Sequence, residues 1–121
     1  MFGLQGLRLK IIVSEPWDFG DIQGCGPFVG EVLKEHDSGD GKECEAVLIK
    51  LEKPLTYKDS KCEYFVGAPR HEGSALTDLL NGATITCGLT HISEDSANSD
   101  NPFDLSQWRG GIGLIGDLTK E

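Results

Sequence analysis

Period-two alternation of side chains recurs along most of this chain, and that pattern dictates strands rather than helices. Residues 7–13 place Leu7, Leu9, Ile11 and Val13 on one face, with Arg8, Lys10 and Ile12 opposite. Residues 28–34 set Phe28, Gly30 and Val32 against Val29, Glu31 and Leu33. In 43–51 both sides are apolar: Cys44, Ala46 and Leu48 on one, Val47, Ile49 and Leu51 on the other, which marks a central strand. Residues 62–68 make a fourth strand. A fifth spans 83–90, where Ala83, Ile85, Cys87 and Leu89 alternate with Thr84, Thr86, Gly88 and Thr90. The glycine-rich stretch 108–118 reads as a sixth, kinked or bulged at Gly110-Gly111.

The residues between these runs are turn formers. Glu15-Pro16 ends the first strand and 17–27 reads as a long glycine-rich loop. Asp37-Ser38-Gly39-Asp40-Gly41 supplies the local hydrogen bonds and positive φ of a hairpin. Lys53-Pro54 stops the third strand, Lys58-Asp59-Ser60-Lys61 is a second polar turn, and Pro69 closes the fourth strand. The one helical signal is 74–81: Ser74 can cap it, Ala75, Leu76, Leu79 and Leu80 form a stripe, and Asn81-Gly82 ends it. Two turns do not hold alone in water, so this helix must pack on the sheet. Residues 93–107 are polar, acidic and aperiodic, and read as an ordered or mobile surface loop, solvated in either case. The expected fold is mainly β: a single small domain over 1–121, a barrel or strongly bent antiparallel sheet of about six strands with one short helix plugging an open end. Sixteen glycines in 121 residues fit so many turns.

Charge narrows the function classes. Twenty acids against 11 Lys and Arg give a formal net charge of −9, which repels phosphate backbones and disfavours nucleic acid as a partner. No Lys or Arg lies between Arg70 and Arg109, whereas Glu72, Asp78, Glu94, Asp95, Asp100 and Asp104 all do. A basic protein or cationic small ligand would be steered there, although such charge also serves plain solubility. The N-terminus carries no basic region followed by a long apolar stretch and cleavage site, and no apolar run reaches a membrane-spanning length. The expected location is therefore cytoplasmic, away from membranes. Cys25, Cys44, Cys62 and Cys87 are evenly dispersed without Cys-x-x-Cys or histidines at ligand spacing, so reduced thiols acting as small hydrophobes are expected, with no metal and no cofactor.

Most motif matches fail on context. Gly111-Ile112-Gly113-Leu114-Ile115-Gly116 fits the dinucleotide fingerprint in letters, but five residues follow it, too few for the helix and acid that the mechanism needs. His71-Glu72 begins a zinc-protease pattern whose second histidine is replaced by Ala75. Arg70-His71-Glu72-Gly73 remains, at a strand-to-helix junction where Arg could hold a carboxylate or phosphate while His and Glu exchange a proton. In the plainer reading Arg70 pairs with a nearby acid and His71 is an exposed turn residue. Trp17 and Trp108, beside Asp18 and Arg109, could line a binding face or cap the ends of a core.

These readings favour a non-catalytic binding module of the immunity- or accessory-protein kind, with Trp17, Arg70, His71, Trp108, Arg109, Glu94, Asp95, Asp100 and Asp104 as candidate contacts. The alternatives are a small hydrolase or lyase using His71 with Glu72 and Arg70, and a homodimeric structural protein.

Overall fold

A computed structural model of the chain describes residues 2–16, 27–37, 44–57, 60–71, 73, 75–104 and 113–121. Six antiparallel strands follow one another around a closed barrel: β1 (Arg8–Pro16), β2 (Phe28–Asp37), β3 (Cys44–Tyr57), β4 (Ser60–Pro69), β5 (Ile85–Ile92) and β6 (Gly113–Lys120). Closure is made by β6 pairing back onto β1, from Leu9 opposite Lys120 to Pro16 opposite Leu114. A closed barrel leaves no unpaired sheet edge for another chain to extend. The mainly β barrel expected from the sequence is the fold observed.

Alternation fills the bore. Leu9, Ile11, Val32, Val47, Ile49, Leu51, Phe65, Ile85, Cys87, Leu89 and Leu118 point inward and form one buried cluster. A barrel of this size has room for side chains and none for a channel. One end is stoppered by a 3₁₀ helix (Leu76–Asn81), whose Leu76 and Leu79 are buried in the same cluster. Leu80 packs partly against it, whereas Ala75, expected on the stripe, is exposed at the N-cap. Ser74, the expected cap, lies outside the described residues. Gly82 ends the turn with φ +88°, its N–H donating to the Leu79 carbonyl at 3.1 Å, as Asn81-Gly82 predicts.

Four register shifts depart from simple alternation: one is in β1, where Ser14 is the extra residue between Val13↔Gly116 and Glu15↔Ile115, and three involve β3. Between Val32↔Ile49 and Lys34↔Leu48 one extra residue, Leu33, enters β2. A second shift, between His36↔Ala46 and Asp37↔Cys44, leaves Glu45 as the extra residue of β3. That bulge turns Cys44 inward beside Val47 instead of outward with Ala46 and Leu48, correcting the face read from strict alternation. The third corrects a boundary. Lys53-Pro54 does not stop β3; four residues, 51–54, face Glu63 alone between Lys50↔Tyr64 and Leu55↔Cys62, and the strand runs on to Tyr57. Proline is tolerated there because a bulge asks no ladder hydrogen bond of it.

The first β2 bulge has a further effect: Glu35 pairs with fully buried Val47 and so shares its inward face at the stoppered end. Its carboxylate accepts the backbone N–H of Phe2 at 3.1 Å and that of Leu4 at 2.6 Å. Gly3 between them has φ +82°, which turns the two N–H groups toward one anion, and Leu4 is thereby seated fully buried in the core. Leu4 is a second stopper beside the 3₁₀ helix, unforeseen in the sequence.

Candidate functional site

The outward face of β3 and β4 is apolar, with Ala46, Leu48, Tyr64 and Val66 buried in a second cluster together with Ile92. What covers it is the segment expected to be solvated loop. Residues 93–104 leave β5, turn through a short helix α1 (Glu94–Ala97), and reach as far as β2. Ser93 caps α1 by accepting the Ser96 N–H at 3.1 Å, and Ala97 N–H donates to the Ser93 carbonyl at 2.9 Å. Ala97 is buried in the outer cluster, Phe103 packs partly against it, and Pro102 is buried as well. Lys34 Nζ donates to the Ser99 carbonyl at 3.3 Å, and the Phe103 ring stacks on His36 with centroids 4.9 Å apart. The segment is an ordered strap across the barrel, its acids on the surface as expected and its apolar residues anchored, which the loop reading did not foresee. The physical reason is the apolar outer face beneath it, which would otherwise meet water.

The strap sets the acids. Glu94, Asp95 and Asp100 are exposed on it and Asp104 is half-buried. The remaining acid of that half of the chain that the structure describes, Asp78, sits in the 3₁₀ helix at the stoppered end. Strand direction separates Asp78 from Glu94 and Asp95: β4 runs toward the stoppered end, and β5 carries the chain back to the other, where α1 begins, while the far part of the strap reaches Lys34 and His36 of β2. Arg70 and His71 follow β4 directly and are therefore at the stoppered end too, both exposed. Arg70 donates its backbone N–H to the Thr86 carbonyl at 3.0 Å, and its Cγ lies over Gly88. Exposed His71 agrees with the turn reading. Trp17, Glu72, Trp108 and Arg109 lie outside the described residues, as do Cys25 and the first part, 108–112, of the expected sixth strand.

Among the described residues, two clefts open toward the end of the barrel away from the stoppers. One is lined by Pro27, Phe28, Val29, Glu52, Lys53 and Pro54. The other, of about 410 Å³, is lined by Lys61, Glu63 and Tyr64 of β4, His91 and Ile92 of β5, and Ser93 and Glu94 at the root of the strap. Neither cleft is lined by Arg70 or His71. Burial lowers the pKa of His91, whose ring packs at 60° to that of Phe65, 5.5 Å away. Glu63 serves two ammonium groups at once, Lys50 at 3.7 Å and Lys61 at 3.5 Å. Sequence reading missed His91 because an isolated histidine at a strand end carries no motif. Its position opposite Phe65 is a matter of register.

Cys44, Cys62 and Cys87 are buried in the barrel core. Burial pushes all three thiols up, Cys87 to about 12, with Asp117 adding to the rise there. The thiolate is the reactive form, so Cys44 and Cys87 are expected to resist iodoacetamide at pH 8 in the folded protein and to react fully in urea. Peptide mapping by mass spectrometry reads this directly; rapid native labelling of Cys87 would contradict its placement in the core. Among the described residues no group of three His, Cys, Asp or Glu side chains could hold a metal ion. Among those residues, too, no helix is long and apolar enough to cross a membrane. No protein-family model, curated protein or solved structure matches this chain.

Proposed function

We propose that this protein is a non-catalytic binding module whose strap presents a fixed acidic face to a basic protein partner. The supporting observation is that Glu94, Asp95 and Asp100 stand exposed on a segment fastened to the barrel by Ala97, Phe103 and the Lys34–Ser99 hydrogen bond. Charges on a held backbone cost little ordering entropy when a partner arrives, and they steer its approach. The stretch between Arg70 and Arg109 holds no lysine or arginine of its own, so the cations beside it are those of the barrel, Lys34 at Ser99 and Lys61 in the cleft that Glu94 borders. The cytoplasm is the proposed location, and the role proposed is that of an accessory or immunity protein. Arg70 and His71 belong to the stoppered end and form no part of this face.

Neutralising Glu94, Asp95, Asp100 and Asp104 together to Gln and Asn is expected to slow association with the partner about tenfold at low salt, the lower end of electrostatic steering. The partner is first isolated by affinity capture, then its on-rate is followed against ionic strength for wild type and variant. The wild-type rate should fall as salt screens the face, and the variant's should be nearly flat. A wild-type on-rate indifferent to salt, and to the four substitutions, would refute the acidic face.

A further inference from the structure

The outer surface of β1 and β2 carries a second contact face. We propose that it docks a second copy of this chain, two barrels packing face to face about a two-fold axis that runs along the β1–β2 seam. Its apolar centre is Ile12, at 48% exposed the one large hydrophobic side chain that the described residues leave in water. Nearby, Val29 is half-buried and Pro27 is exposed. Pairing of β2 with β3 ends at Gly30↔Leu51, and beyond that pair lies a cleft of about 420 Å³ bordered by Pro27, Val29 and Pro54. One face therefore holds both a knob and a hollow.

Charge selects the occupant. The chain as a whole carries −9, which keeps copies apart, but this face is balanced. Register gives its outward rows: Glu121, Arg8, Glu31 and Lys50 lie side by side, then Thr119, Lys10 and Val29, then Asp117 and Ile12. With Glu52 and Lys53 at the cleft, acids and bases are equal in number. A two-fold axis along the seam lays each β1 on β2 of the other copy and each β6 over its β3, row on row. Arg8 then meets Glu31 of the second copy, Asp117 meets its Lys53, and Ile12 enters its cleft beside Pro27. Two Arg8 and two Glu31 side chains alternate around the axis. Arg8 holds Glu52 at 2.9 Å and Glu121 at 3.0 Å within its own chain and keeps further N–H groups for a third carboxylate. Among the described residues, Glu31 and Lys53 have no ion partner within the chain. The strap crosses β3 and β4, away from the seam, so the dimer displays two acidic faces.

Sedimentation equilibrium of the full chain at low salt reads the association. The face is small, so a dissociation constant of about 10⁻⁴ M is expected, with mainly monomer at about 10 µM and mainly dimer at about 1 mM. Ile12→Asp should weaken the dimer about tenfold or more, because it drives a charge into the hollow. Glu31→Arg and Arg8→Glu should each weaken self-association about tenfold, since each sets four like charges around the axis. Mixed together, these two variants restore both pairs and should associate as tightly as the wild type. Net charge alone predicts the reverse for Glu31→Arg, which brings the chain closer to neutral. A chain still monomeric at about 1 mM, a dimer indifferent to Ile12→Asp, or a mixture no tighter than its components would overturn the proposal. All three positions are exposed, and an unchanged amide spectrum elsewhere verifies folding of the variants.

Discussion

Leu79→Ala is expected to lower the free energy of unfolding by about 2–5 kcal/mol, a large part of what a domain this size has to lose. Leu79 is fully buried, and it enters the barrel from a 3₁₀ helix whose other core contacts are those of Leu76 and, partly buried, Leu80. The helix carries no side-chain cap at Ala75, so its own hydrogen bonds cannot keep it in place once the leucine is cut back. The cluster around it consists of Leu, Ile, Val, Phe and Cys side chains, which offer water no strong hydrogen-bond partner, so the vacated space is expected to be a dry cavity. Urea unfolding measures the loss. Partial recovery of stability in saturating benzene would show that the lost term is a cavity, and Ile12→Asn, at a side chain 48% exposed, should change stability by no more than about 0.5 kcal/mol. A Leu79→Ala protein as stable as wild type would mean that the barrel end is not stoppered as described.

Glu35→Gln is the second large effect, at about 1–3 kcal/mol. The Glu35 carboxylate accepts two backbone N–H groups, from Phe2 and Leu4, and the shorter contact is 2.6 Å. A glutamine amide has one oxygen to offer, and its NH₂ must turn toward a donor or swing away. The loss should reach beyond the hydrogen bonds, because the same two donors fix the turn that seats Leu4 in the core. Glu31→Gln on the same strand, at an exposed outward position, is the control expected to cost little. The comparison is again by urea unfolding. Equal midpoints for the two variants would deny the anchoring role of Glu35.

Much of the barrel was legible because its signal is local. Leu9 with Ile11, and Ile85 with Cys87 and Leu89, show in the sequence the same inward face that the fold shows. Gly82 closes the 3₁₀ turn through a property of glycine alone. The misreadings concern one-residue events and distant partners. Leu33 and Glu45 bulge out of register, and nothing in a period-two pattern announces which residue is extra. Glu35 meets Phe2 and Leu4 across more than thirty positions of chain. The strap was misread for a related reason. Its polar composition is that of a loop, and its few apolar residues, Ala97, Pro102 and Phe103, have no periodicity. The clue lay elsewhere, in the doubled apolar faces of 43–51, which required an outer cover as well as an inner core. Charge counting located the acids in one half of the chain, but strand direction decides that Asp78 belongs to the opposite end from Glu94 and Asp95.

The functional reading depends on the strap being held in place, because acids on a loose tether would form no defined face. Native-state hydrogen exchange of the Ala97 and Asn98 amides tests that dependence most directly. These N–H groups donate to the Ser93 and Glu94 carbonyls at 2.9 and 3.0 Å, at the point where the strap is buried against β4. Protection of about a hundredfold or more over an unstructured chain is predicted for Ala97, and it should be lost in Ala97→Asp, which drives a charge into the outer cluster. Exchange of both amides at unstructured-chain rates in the wild-type protein, with the barrel amides still protected, would contradict the account.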